Sequence, residues 1–133
     1  MKTRKIKSGV ILLAALFMFF FAYGQEIKEW LVPEKYKAME NPVESNDENV
    51  KVGKMLYSKH CKSCHGKEGL GDGTKSKALE TFCGDFSSEE FLGQSDGALY
   101  YKTTEGRDEM PSFKATIDDD DRWCLVLYMR TFE

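Results

Sequence analysis

The chain has 133 residues, 41% of them hydrophobic and 31% charged, which leaves room for one domain. Its 22 Asp and Glu outnumber its 19 Lys and Arg, for a formal charge of −3. That balance argues against nucleic acid as a partner, because phosphate backbones are bound by clustered basic side chains.

Lys2, Arg4, Lys5 and Lys7 precede an uncharged apolar run from Val10 to Tyr23, and Ala22-Tyr23-Gly24 sets small residues where a signal peptidase reads. The pattern predicts a signal peptide over residues 1–24, cleaved before Gln25, and an exported, periplasmic protein. The alternative is an uncleaved anchor, but the run of 14 residues is shorter than the roughly 20 that a spanning helix needs. No stable membrane insertion is expected after cleavage. Removal of residues 1–24 takes away four positive charges and no negative ones, so the formal charge moves from −3 to −7. An acidic protein of that kind is suited to partners with a basic docking face. A domain this small also buries a modest fraction of its surface and gains from a cofactor that completes its core.

From Gln25 to Asn49 the sequence is charged and interrupted by Pro33 and Pro42, which reads as an extended N-terminal arm whose Trp30 and Tyr36 either pack on the domain or stay solvated. Ser45-Asn46-Asp47-Glu48 resembles a capping box, so a first helix is expected to run from there to about His60. Val50, Gly53 and Tyr57 then share one face, and Gly53 costs roughly 1 kcal/mol of helix stability relative to Ala, which suggests a close crossing by another helix. Gly66, Gly69, Gly71 and Gly73 mark a tightly turning loop. It lacks the Gly-Lys-Ser/Thr ending and the preceding strand of a phosphate-binding loop.

Two short middle helices are expected, one after Ser87-Ser88-Glu89-Glu90 and one capped by Ser95 that runs through Ala98, Leu99, Tyr100 and Tyr101 towards Gly106. Asp118 to Asp121 place four carboxylates at a helix start, and the apolar-rich segment from Trp123 to Phe132 follows as the last helix. The acidic run serves either as first-turn charge compensation or as a patch for a basic partner. With no strand alternation along the chain, the expected fold class is all-α.

Cys61-Lys62-Ser63-Cys64-His65 is the motif that carries chemistry. Two thiols at this spacing reach two vinyl groups on one edge of a haem, and the adjacent imidazole then meets the iron. A thioredoxin-like reading would need a βαβ context, and a structural zinc site would need a second ligand pair, whereas Cys83 and Cys124 stand far apart without His neighbours. Met110, preceded by the Gly106 turn and stiffened by Pro111, is the candidate for the sixth iron position. Met39, Met55 and Met129 read as apolar filler, and His60 as a surface residue.

From about Val50 to Phe132 the chain resembles the class I c-type cytochromes, close to the small cytochrome c domains of bacterial oxidases and quinoprotein dehydrogenases. The resemblance rests on Cys64-His65-Gly66, on Gly71-Asp72-Gly73 and on Met110-Pro111, with Gly53 and Tyr57 set against Leu125 and Tyr128 where the first and last helices cross in that family. It implies a cytochrome c domain over residues 50–133, one covalent haem c attached through Cys61 and Cys64, and axial ligation by His65 and Met110. One departure is Phe82-Cys83-Gly84-Asp85-Phe86, where Cys83 stands in place of a proline common in relatives.

Cys83 and Cys124 are the thiols left after haem attachment, and in an oxidising compartment they are expected to form a disulfide between the loop and the last helix. With both axial positions filled, the expected role is a single-electron carrier rather than an enzyme, exchanging electrons with redox protein partners. The competing roles are a haem-based ligand sensor or weak peroxidase with a displaceable Met110, and a detached electron-transfer subunit of a larger oxidoreductase.

Overall fold

A computed structural model describes residues 29–132, so the expected signal peptide lies outside the described residues. Residues 29–31 belong with the preceding segment, and the chain from Val32 onward forms a unit of its own. That unit is built from six α-helices: α1 (Glu34–Lys37), α2 (Asp47–His60), α3 (Lys62–His65), α4 (Glu89–Leu92), α5 (Asp96–Glu105) and α6 (Asp119–Met129). Single 3-10 turns sit at Ser76–Ala78 and Arg130–Phe132. Among the described residues the β-structure is a single isolated bridge between Arg107 and Met110, so the unit is all-α as expected. None of their helices is long and apolar enough to cross a membrane.

Three of the described helix starts are capped by side chains. Asn46, one residue later than the expected Ser45, caps α2 by accepting the Asn49 amide at 3.0 Å. Ser88 rather than Ser87 caps α4, taking the Phe91 amide at 3.3 Å, while Ser87 turns back to the Asp85 carboxylate. Ser95 caps α5 as expected, accepting from Ala98 at 3.2 Å. Asp118 occupies the cap of α6 without a side-chain bond, and Asp119, Asp120 and Asp121 follow in the first turn, where the helix dipole favours negative charge.

The most extensive helix contact is the crossing of α2 and α6. A Cβ placed on Gly53 would lie 2.0 Å from the Cys124 carbonyl oxygen and 2.9 Å from Cβ of Tyr128, so the two backbones meet where one of them has no side chain. Around this crossing Tyr57, Trp123, Leu125 and Val126 are the most completely buried large side chains. The rings of Tyr57 and Tyr128 meet edge-on at 5.3 Å.

The second layer is α5 against α6. Tyr100 and Trp123 stack at 4.0 Å with their planes 10° apart. Arg122 is 5% exposed and donates to the Ile117 and Lys114 carbonyls, to the Tyr100 hydroxyl and to Asp119. A buried guanidinium is tolerable where both terminal nitrogens are bonded in this way, although its buried Nε has no partner. The segment before α2 also packs on α5: Val32 is buried, Tyr36 meets Tyr101 at 4.7 Å, and Gly97 admits the Tyr36 carbonyl at 1.9 Å from where a Cβ would sit. Asn41 then donates to the Trp123 carbonyl at 3.2 Å.

Gly53→Ala tests the crossing by opposing two effects. Helix propensity favours Ala by roughly 1 kcal/mol, but overpacking against a backbone carbonyl costs about 1–3 kcal/mol and forces the helices apart. Urea unfolding of the holoprotein is expected to show net destabilisation, and a gain in stability would contradict the close crossing.

Candidate functional site

The motif is presented by the end of α2. The Cys61 amide donates to the Tyr57 carbonyl at 2.9 Å, and the chain continues directly into the single turn α3. Cys64 and His65 both donate to the Cys61 carbonyl, at 3.1 and 3.0 Å. A three-residue separation on a helical turn puts the two thiols on neighbouring positions of one face.

The glycine-rich loop then folds back over this turn. Gly71 donates to the His65 carbonyl at 2.9 Å, Gly73 to Cys64 at 3.1 Å and Lys75 to Ser63 at 2.8 Å, so the carbonyls a short helix leaves unpaired are satisfied. Gly73 is required by contact: a Cβ there would lie 2.4 Å from the Ser63 carbonyl oxygen. Gly66 leaves the turn at φ +86°, and its carbonyl accepts the buried Tyr57 hydroxyl at 2.8 Å. Burial first, with neighbouring acidic groups including Cys61, pushes the Tyr57 hydroxyl well above the usual phenol range, so it stays a donor.

His65 is half-buried, its ring 4.8 Å from that of Phe86. Burial lowers its pKa; the Cys83 backbone acts in the opposite direction but falls short of full hydrogen-bond geometry, and buried Nδ1 is left without a partner. A neutral imidazole with its lone pair available is the form that ligates a metal. Cys61 and Cys64 are both half-buried, and burial followed by the proximity of Cys64 pushes the Cys61 thiol up to about 12.

Met110 lies on a tight turn. Arg107 and Met110 exchange both backbone bonds at 2.9 Å, Asp108 takes φ +51°, and Gly106 at φ +67° leaves no room for a Cβ beside the Met110 carbonyl. Met110 and Cys61 both pack, partly exposed, on the one hydrophobic core. Cys83 sits close enough to Cys64 and to Glu109 for their charges to raise its pKa after burial has done so, which places the motif and the Met110 turn beside the same loop.

His60 is half-buried rather than fully at the surface, its ring centroid 5.8 Å from that of Phe113 in an edge-on arrangement. The structure shows no bond between Cys83 and Cys124, which the sequence leads one to expect as a disulfide. Cys83 belongs to the loop beside Cys64, whereas Cys124 is buried in α6 at the Gly53 crossing, among the carboxylates of Asp120 and Asp121. Two contributions were not legible beforehand: the Tyr57 hydroxyl as a support of the Gly66 carbonyl, and Phe86 as the ring against His65.

An all-α unit whose helices α2 and α6 cross at Gly53, carrying Cys-x-x-Cys-His on the turn after α2, defines a class I c-type cytochrome. Residues 48–129 match the family described as cytochrome c oxidase, cbb3-type, subunit III, and the chain belongs to that family. Among solved structures it is similar to a chain of the reducing HAO-like protein complex of Kuenenia stuttgartiensis, at 28% identity and a TM-score of 0.63. That likeness covers 79% of this chain and 52% of the other, so the chain spans about half the length of the structure it matches. No curated protein matches it. The family implies haem c and haem-based electron transfer. The donor set fits such a group, with two half-buried thiols one turn apart and an adjacent buried imidazole nitrogen that nothing in the chain satisfies.

The state of Cys83 and Cys124 is directly testable. Denaturation without reductant followed by alkylation and mass spectrometry is expected to label both Cys83 and Cys124; protection of both, relieved by reductant, would restore the disulfide.

Proposed function

We propose that the chain is an exported single-electron carrier holding one haem c through thioethers at Cys61 and Cys64, with His65 and Met110 as axial ligands. The observation that carries this reading is the single turn α3 with its cap Cys61, which together offer both thiols and, next to the second, a half-buried imidazole whose pKa burial lowers. When bound, the haem iron supplies one-electron chemistry by alternating between its ferrous and ferric states.

The chain's own residues account for the rest. His65 is held against Phe86, so its ring enters the site in one orientation. The Met110 thioether favours the reduced state relative to a second imidazole and closes the position at which a substrate would bind. Gly71, Gly73 and Lys75 hold the motif's carbonyls, so little local rearrangement accompanies a change of one charge. The acidic surface of the mature chain favours brief encounters with a basic redox partner, where charge speeds association more than it tightens binding.

A second reading, an electron-transfer subunit or domain of a larger oxidoreductase, is supported by the neighbour being a chain of a protein complex and by the partial coverage of it. Co-purification of a stoichiometric partner favours this second reading; isolation of a monomer that exchanges electrons with a basic protein, at rates that fall as salt rises, favours the carrier.

Attachment and ligation are checked together. The wild-type protein is expected to keep one haem through denaturing electrophoresis and, when reduced, to resist carbon monoxide. C61S/C64S is expected to lose the haem under denaturation, and M110A to bind carbon monoxide readily. Carbon monoxide binding by the wild type, or haem retention by the double variant, would refute the assignment.

A further inference from the structure

Glu109 immediately precedes Met110 on the turn that begins at Gly106. Its carboxylate does not point to a basic side chain but reaches across to the loop between the Ser76–Ala78 turn and Phe86. Oε2 accepts the backbone amides of Glu80 and Thr81, each at 2.9 Å, and Oε1 takes a longer bond from Glu80 at 3.2 Å. The bonded residues are 29 and 28 positions apart in the chain. A carboxylate that accepts several backbone amides makes charge-assisted bonds, stronger than those between neutral groups.

The two pieces so joined are each anchored elsewhere. The loop is tied to the haem-motif side at both ends, by Lys75 donating to Ser63 at 2.8 Å and by Phe86 donating to Gly69 at 2.8 Å. The Met110 turn is closed by the paired Arg107–Met110 bonds and tied to the end of α5 by the Ser112 hydroxyl donating to the Thr104 carbonyl at 2.6 Å. Glu109 is therefore a direct polar link between the body that carries Cys64, His65 and Cys83 and the body that carries Met110. Its pKa is lowered, first by the Thr81 amide, in keeping with this bonding.

We infer that Glu109 is a positioning residue, a clamp that ties the Met110 turn to the Glu80–Thr81 amides and so keeps the thioether in reach of the iron. The inference rests on Met110 being the axial ligand. A thioether is a neutral and weak ligand, and its occupancy against a competitor depends on its effective concentration, which the freedom of its loop sets. Release of the clamp lowers that effective concentration without touching the iron or the sulfur.

The test uses the oxidised holoprotein, titrated with imidazole as an external ligand, together with amide hydrogen exchange. In E109A the imidazole affinity is expected to rise about tenfold, on the scale of lost hydrogen bonds to a charged group, and the Glu80 and Thr81 amides are expected to exchange faster. E109Q keeps one acceptor oxygen without the charge and is expected to lie between E109A and wild type; it also serves if E109A does not fold. M110A is expected to bind imidazole more tightly than either, and adding E109A to it should change the affinity no further. If M110A shows the gain while E109A and E109Q match wild type, the clamp is overturned and Met110 stands as ligand. If M110A itself matches wild type, the ligation reading falls and the clamp falls with it. Loss of thermal stability in E109A with unchanged imidazole affinity would reduce Glu109 to a loop staple and overturn its positioning role.

Discussion

The approach of α2 to α6 at Gly53 is the constraint on which the rest of the unit depends. With the Cys124 carbonyl 2.0 Å from the place of a missing Cβ, the helices are closer than any side chain would permit. This contact buries Tyr57 and Leu125 almost completely and orients the end of α2 from which the haem motif emerges. Tyr57 then acts at two levels. Its ring packs in the crossing against Tyr128, and its hydroxyl reaches the Gly66 carbonyl just beyond His65. The position of the motif is therefore coupled to the packing of the two longest helices rather than to its own short turn.

The turn itself would be weak alone, since four helical residues leave most of their carbonyls unpaired. The glycine-rich loop solves this by returning three amides to Ser63, Cys64 and His65. Glycines are needed there because the loop backbone lies directly on the turn, as the 2.4 Å clearance at Gly73 shows. Behind His65 the apolar wall of Phe86, itself stacked on Phe91 at 4.4 Å, removes water from the imidazole and keeps it neutral. The same residues that make the loop compact thus prepare a nitrogen for a metal.

The start of α6 has a part in both charge and packing. Asp119 accepts from the buried Arg122 at 2.7 Å and from the Tyr100 hydroxyl, so this carboxylate belongs to the network that joins α5 to α6. Asp120 and Asp121 are left to compensate the helix dipole. A second ion pair, Arg130 with Asp96 at 2.8 Å, closes the opposite end of the same helix pair. The N-terminal segment from Val32 adds to this layer by laying its backbone on Gly97.

Local rules were legible in the sequence wherever one residue type had one role to fill. The Ser95 cap, the Asp-rich start of the last helix, the use of Gly53 at a crossing and the Cys-x-x-Cys-His spacing all follow from chemistry between residues a few positions apart. Where two capping residues stand side by side, at Ser45-Asn46 and Ser87-Ser88, the helix starts one residue later than the pattern suggests, because the choice depends on which side chain the folded loop turns towards the free amides. The expectation that Cys83 pairs with Cys124 rests on a count of thiols in an oxidising compartment, and a count carries no distance; the fold sets one beside Cys64 and the other inside a helix crossing. The partners of Glu109 lie 28 and 29 residues away in the chain, so no local pattern points to them. By itself, then, the sequence determined the helical class and the haem motif, which short-range spacing encodes. Only the tertiary structure decided what faces His65, what supports Gly66 and what holds the Met110 turn, because those contacts join backbone groups and rings that no local pattern relates.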